Sequence, residues 1–303
     1  RGESIGMRRI IALLVMSCFV AGTFAKVPVM GNKIRLTDNW EFLRQDVGNI
    51  WELVRPIKKG QPEEQPIWTK VTLPHCFNAE DAVDPDLNYY QGPGWYKTRL
   101  KLDNPYPDGR MVLEFEGAGQ KTDVYVYMTK VGSHVGGYDS WNVDITDAVR
   151  AFLASKDAER FGGEIPLSIR CDNTRDAEMI PSDLSDFNLY GGIYRYLNLV
   201  YLPEVSVASL RIEPALDAKL KKGKLKVSGT FYNPADVREA LVEVTVKNAK
   251  GEVVSTRTLD KITPLGDLDM LDIQIDKPQL WDVDHPVLYL SLIHISEPTR
   301  RSY

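Results

Sequence analysis

Along most of the chain, short runs of β-branched, aliphatic and aromatic residues are broken by Gly, Pro, Asn and Asp, and almost nothing carries the period of a long amphipathic helix. This pattern predicts strands over residues 40–43, 68–73, 95–102, 111–115, 123–128, 167–172 and 193–202. Phe115, and then Val124, Val126 and Met128, recur with the period of two that turns one face toward a core. The one helical candidate is 145–153, opened by Thr146 and Asp147 as caps, and 155–163 reads as a polar loop. Trp95 and Trp281, flanked by alternating apolar positions, read as packing residues of sandwich cores.

A boundary falls near Pro203 and Glu204, where the aromatic-rich first unit gives way to a second with fewer rings. Strands are predicted there over 207–212, 224–232, 241–247, 253–259 and 271–275, with Asn248-Ala-Lys-Gly251 as a hairpin turn. The fold class is therefore all-β, and the second unit, 204–290, suits an immunoglobulin-like β-sandwich. No internal repeat, low-complexity tract or transmembrane segment appears after the leader described next.

Residues 7–25 read as an export signal: Arg8 and Arg9 precede the apolar run 10–16, and Thr23-Phe24-Ala25 supplies small residues at a cleavage site. Residues 1–6 then lie upstream of the true start, and the mature chain is expected in the periplasm or outside the cell. Val15-Met16-Ser17-Cys18 loosely matches a lipoprotein box, weakened by the serine before the cysteine. At the other end, 291–303 resembles the translated read-through of a sequencing-library adapter, so a non-native tail after Leu290 is expected. The competing reading, a native strand over 288–295 stopped by Pro298, has the same periodicity.

The formal net charge is −5, and both ends are net basic, so the body is more acidic than the total. With no basic cluster larger than the run 219–226, which reads as a solvated hairpin edge, nucleic acid and anionic membrane are unsuitable partners. The 4 histidines, His75, His134, His285 and His294, lie at no metal-ligand spacing with one another or with Cys, so no metal site is expected. Gly117-Ala-Gly119 and Gly136-Gly137 read as turns, not phosphate cradles. Paired acids such as Glu63-Glu64, or Asp84 with Asp86, nominate no acid/base couple, because sequence proximity does not make carboxylates face each other. Cys76 and Cys171 remain after leader removal; an oxidising compartment permits a disulfide, but the apolar run around Cys171 favours a free buried thiol.

Three stretches carry more. The first is Leu73-Pro-His-Cys-Phe-Asn-Ala-Glu-Asp81 followed by Tyr89-Tyr-Gln-Gly-Pro-Gly-Trp-Tyr96; the second is Asp186-Phe-Asn-Leu-Tyr-Gly-Gly-Ile-Tyr-Arg195; the third is Gln279-Leu-Trp-Asp-Val-Asp-His-Pro-Val-Leu-Tyr289. In this order the chain resembles glycoside hydrolase family 2 over roughly residues 39–290. The resemblance implies a galactose-binding-like jelly roll over 26–203, then the immunoglobulin-like domain, from an exported retaining β-glycosidase, β-galactosidase-like, active in carbohydrate degradation. It also implies that the catalytic carboxylates sit on a (β/α)8 barrel of about 250 residues that follows the two sandwiches. No Asn-Glu dipeptide, the family's acid/base signature, occurs here, so no catalytic residue is assigned and the chain alone is expected to be inactive.

The same resemblance places a substrate-positioning aspartate six residues before the glycine of a Gly-Ile pair, and Gly192-Ile193 makes that residue Asp186. A carboxylate can accept charge-strengthened hydrogen bonds from sugar hydroxyls, or hold a cation, although no cofactor is implied. Phe187 and Tyr190 can present ring faces to a pyranose, and Tyr90 and Gln91 approach the same place. Read without the family, Asp186 caps a turn, Phe187 serves the core as readily as a platform, and Arg195 is a structural ion-pair partner. Cys76 stands where the family usually has an acidic residue. The expected partners are a β-galactoside or related glycan and the enzyme's own barrel. Rival readings are a free-standing carbohydrate-binding module, which needs a self-sufficient aromatic platform, and a structural β-sandwich surface protein.

Overall fold

The computed structural model describes residues 32–56, 66–184 and 186–296. The expected leader, Glu63-Glu64 and the last seven residues of the expected tail, 297–303, lie outside the described residues. The first unit contains β1 (Asn32–Arg35), β2 (Trp40–Leu43), helix α1 (Trp51–Val54), β3 (Thr69–Val71), β4 (His75–Cys76), β5 (Pro93–Leu100), β6 (Arg110–Phe115), β7 (Lys121–Val126) and β8 (Thr129–Val135). It continues through β9 (Trp141–Asp144), helix α2 (Thr146–Leu153), β10 (Ile165–Asp172), β11 (Gly192–Ile193) and β12 (Leu197–Leu202). The second contains β13 (Ser206–Leu216), β14 (Lys222–Tyr232), β15 (Ala240–Lys247), β16 (Val253–Ile262), β17 (Asp267–Asp276) and β18 (Leu290–Ser296).

The architecture is the predicted jelly roll followed by an immunoglobulin-like sandwich. A six-stranded sheet ordered β3-β2-β5-β10-β7-β8 and a four-stranded sheet ordered β1-β12-β6-β9 share one core, which includes Trp40, Tyr96, Phe115, Ile169 and Leu199. β10 lies between β5 and β7 and is also contacted by helix α2 and by the 3-10 turn at 156–161, and its first five residues are all buried instead of alternating. β7, covered on one face, keeps strict alternation. Each large apolar side chain removed from water adds about 1.5–3 kcal/mol, so both strands contribute to holding the two sheets together. In the second unit β13-β14-β17 and β16-β15-β18 close over Val227, Val242, Val244, Val246 and Met270. The hairpin at Asn248 forms as predicted, with Gly251 at φ +82° and the Asn248 side chain accepting the Lys250 and Glu252 amides.

Several expectations are corrected. The run 193–202 is two strands: β11 pairs with β4, whereas β12 joins the four-stranded sheet beside β6. Gly192, at φ +111°, and the backbone bonds of Arg195 and Tyr196 to Gly117 and Glu116 carry the chain across. Met128 leaves the alternation, because β7 ends at Val126 and Tyr127 turns the chain at φ +53°. Residues 156–161 form a 3-10 helix that places Phe161 against Phe152. Helix α2 is not capped by Thr146 or Asp147: Asp144 accepts the Thr146 amide at 2.8 Å instead. Trp95 is buried as expected, but Trp281 is 59 % exposed, since the segment between β17 and β18 runs over the surface. Apart from these corrections, residues 291–296, for which the sequence offered either a non-native tail or a native strand, lie in β18, which pairs with β15.

The two sandwiches meet at a polar knot. Asp144, at the end of β9, accepts hydrogen bonds from Arg110 Nε at 2.8 Å and from the hydroxyl of Tyr232, the last residue of β14. Burial alone would push the Asp144 carboxyl upward, but the bonds from Thr146, Tyr232 and Arg110 outweigh it and hold the group below its ordinary 3.8. A carboxylate with a depressed folded value contributes stability that is present above the unfolded value and lost as pH falls through the folded one. Asp144→Asn is therefore expected to flatten the acid limb of the stability curve below 3.8. Tyr232→Phe, which leaves Asp144 two other donors, should cost about 1 kcal/mol. Urea unfolding from neutral to acid pH checks both, and superimposable curves for Asp144→Asn and the unmodified chain would rule the linkage out.

Candidate functional site

The site is built where β4 and β11 pair at one end of the jelly roll, Gly192 opposite Cys76 and Ile193 opposite His75. The pairing continues as Phe77 N–H donates to the Gly191 carbonyl at 3.0 Å, so the loop of residues 186–191 is docked against the chain after β4. Gly191 permits this approach: a Cβ there would lie 2.1 Å from the Phe77 ring. Leu189, 3 % exposed, takes the inward place in the loop and leaves its neighbours outside.

Among those neighbours Asp186 is exposed, and among the described residues its carboxylate makes no hydrogen bond or ion pair. The turn-capping reading of Asp186 therefore lacks the bond it requires. Phe187 is 71 % exposed, a displayed ring and not a core residue, and Arg175 Nη2 fixes its carbonyl at 2.9 Å. Tyr190 is 45 % exposed, and Gln120 reaches its carbonyl at 3.4 Å. The structure thus groups Asp186, Phe187 and Tyr190 on one lip.

Gln91 is exposed on the facing loop, but Tyr90 is half-buried. Its hydroxyl donates to the Pro93 carbonyl at 2.8 Å, and its ring lies between Phe77 and the Arg44 guanidinium. Tyr90, expected among the sugar-contacting groups, thus packs the loop with one part of its surface still exposed. Arg195 forms no ion pair among the described residues; its stem lies on Gly117, so the structural ion-pair reading is also corrected.

Burial acts on several titratable groups near the lip. His75 bonds the Tyr96 hydroxyl at 2.8 Å, and burial lowers its imidazole below the ordinary value, which favours the neutral form. Both cysteines are free; burial pushes the Cys76 thiol up and that of Cys171 to about 12. Among the described residues no group of three His, Cys, Asp or Glu is placed to hold a metal ion. Sequence reasoning missed the ion pair of Arg44 with buried Asp81, bidentate at 2.9 and 3.0 Å, in which Asp81 also accepts the Tyr90 amide. It also missed the inward amides of Asn78, Gln120 and Asn173. Asn78 and Asp81 sit inside the first motif, but nothing local distinguishes them from ordinary turn formers.

Two β-sandwiches in series, the first with a carboxylate and two aromatic rings exposed on one loop, frame the comparison with known proteins. Residues 54–203 match the family model for the sugar binding domain of glycosyl hydrolases family 2, and residues 205–298 match a second model of glycosyl hydrolases family 2. The chain belongs to glycoside hydrolase family 2. The structure of a β-glucuronidase from Parabacteroides merdae is 65 % identical, with a TM-score of 0.84 over 91 % of this chain and 35 % of its own. That of Bacteroides uniformis β-glucuronidase 3 is 51 % identical, with a TM-score of 0.76 over 89 % of this chain and 35 % of its own. A β-galactosidase of Thermoanaerobacter pseudethanolicus is 25 % identical over 254 residues, covering 83 % of this chain and 31 % of that protein. The chain thus spans about a third of the length of these relatives.

Proposed function

We propose that this chain is the exported N-terminal part of a retaining family 2 glycosidase of the β-glucuronidase type, in which Asp186 helps to position the sugar. The observation that carries the reading is the lip itself, on which the Asp186 carboxylate is exposed and, among the described residues, unpaired, with Phe187 and Tyr190 displayed on the same loop. A uronide brings its own carboxylate, which like-charge repulsion keeps away from Asp186. Asp186 therefore serves the hydroxyl side of the ring and accepts from sugar O–H groups. Protonation of the leaving oxygen and attack at the anomeric carbon belong to two carboxyls on a barrel outside this chain, about 5–5.5 Å apart in a retaining enzyme.

The sequence reading favoured a β-galactosidase; the 65 % and 51 % identity to β-glucuronidases moves the preference to uronides. The β-galactosidase match keeps galactosides as the second reading. The enzyme extended through its barrel decides between them when assayed with p-nitrophenyl β-glucuronide and β-galactoside, and preference for the galactoside would overturn the uronide reading. The chain as it stands is expected to hydrolyse neither, and turnover above the uncatalysed rate would show that it carries catalytic carboxyls after all.

A further inference from the structure

Behind the lip lie two asparagines that touch no displayed side chain. Asn78 and Asn173 are 1 % and 0 % exposed. Asn173 Oδ1 accepts the Gly92 amide at 2.9 Å, and its Nδ2 donates to the carbonyls of Tyr90 at 2.8 Å and Leu189 at 2.7 Å. Asn78 approaches the same groups from the other side. Its Nδ2 donates to Leu189 O at 2.9 Å, with a longer contact to Tyr90 O at 3.5 Å, and its Oδ1 accepts the Gly191 amide at 2.9 Å. Four backbone groups, two from the loop that carries Gln91 and two from the loop that carries Tyr190, are thus held by two side-chain amides.

The chemistry of this clamp is specific. Each position must donate toward carbonyls and accept from an amide at the same time, which a carboxamide does and a carboxylate or aliphatic group does not. The Leu189 carbonyl receives both asparagines and so has both lone pairs used. Tyr90 is further fixed through its amide by Asp81, which Arg44 holds in turn. None of these bonds uses the side chain of Asp186 or Tyr190, which are left to meet a ligand.

We propose that Asn78 and Asn173 are positioning residues that set the distance between the Gln91 loop and the Asp186 lip, and so set how the lip meets the sugar. This rests on the reading of Asp186 as a sugar-contacting group. Shifts of about 1 Å in such a group lower turnover by as much as about a hundredfold, so a clamp with no ligand contact can still govern the rate.

The test uses Asn173→Asp, which replaces the donor by an acceptor, and the milder Asn78→Ser and Asn173→Ser in case the buried charge prevents folding. In the 303-residue chain, hydrogen exchange at the Gly92 and Gly191 amides should speed up by about tenfold or more, while β10 amides stay protected. In the barrel-extended enzyme, kcat/KM for the glycoside should fall about tenfold in the serine variants, but by less than about twofold when Asp186 is already Ala. Unchanged exchange at both amides overturns the clamp. Faster exchange with unchanged kinetics, or losses that simply multiply with that of Asp186→Ala, reduces the asparagines to a purely structural role and overturns the proposal. If Asp186→Ala alone leaves the kinetics intact, the contact reading fails by itself. A loss in the serine variants then cannot pass through Asp186, which overturns the positioning role too, whereas the exchange result still reports on the clamp.

Discussion

Asp186→Ala in the barrel-extended enzyme is expected to lower kcat/KM by about tenfold to a hundredfold, which corresponds to about 1.4–2.7 kcal/mol of transition-state binding. That range is what one or two hydrogen bonds from neutral sugar hydroxyls to a charged acceptor contribute. The loss should be chemical and not structural. Among the described residues the carboxylate makes no bond, so its removal leaves no orphaned donor, and the thermal midpoint should move by no more than an ordinary surface substitution allows. Asp186→Asn, which keeps one acceptor and gives up the charge, should fall between the two enzymes. If the contact matures only as the ring distorts, the effect sits in kcat; if it forms equally with ground-state sugar, it sits in KM. Michaelis constants and turnover numbers for the three enzymes on one glycoside distinguish these cases, and values unchanged within error would remove Asp186 from the site.

How far the site was legible depends on whether its signals are local. β7 and β15 announce themselves because one face is covered and the alternation follows directly from the pleat. The break between β11 and β12 does not, since Tyr194 and Tyr196 continue a strand-like pattern and the φ of +111° at Gly192 leaves no compositional mark. Asp186 was reachable only through its spacing to Gly192. That Phe187 is displayed follows from Leu189 taking the single inward position, a competition between two large apolar residues that periodicity over so short a loop cannot resolve. Trp281 failed for the opposite reason: its apolar neighbours lie in a segment without strand partners, so alternation there orients nothing.

The asparagine clamp was least legible of all. Its bonds join residues 83 and 111 positions apart, and a buried Asn in sequence looks like any turn-forming Asn. What the sequence does carry is the glycine pair that makes the clamp sterically possible. The lip therefore divides into a displayed surface, recognisable by residue type, and a concealed support, recognisable only once long-range contacts exist.

Gly191→Ala tests that support most severely. The new Cβ would sit 2.1 Å from Phe77 Cζ and 2.3 Å from Cε2, well inside contact distance with a ring that is itself 5 % exposed. Phe77 cannot simply retreat, because it stacks on Phe42 with centroids 5.6 Å apart and meets Tyr90 edge-on at 5.7 Å. Either the ring is forced off its rotamer or the loop lifts and breaks the bonds from Gly191 to Asn78 and from Phe77 to Gly191. Both outcomes cost about 3 kcal/mol, the upper part of the range for overpacking a filled core. Gly251→Ala is the control for glycine replacement as such. It has φ +82° and nothing within 4 Å of the added Cβ, so only the backbone conformation is strained, at about 1 kcal/mol. The steric cause makes a further demand: Phe77→Leu, which shortens the opposing side chain, should recover part of the Gly191→Ala loss, so that the double variant is more stable than the two single losses added together. Urea denaturation of the four proteins supplies the cycle. Simple additivity would mean that Gly191 is required for its backbone freedom and not for the approach of Phe77.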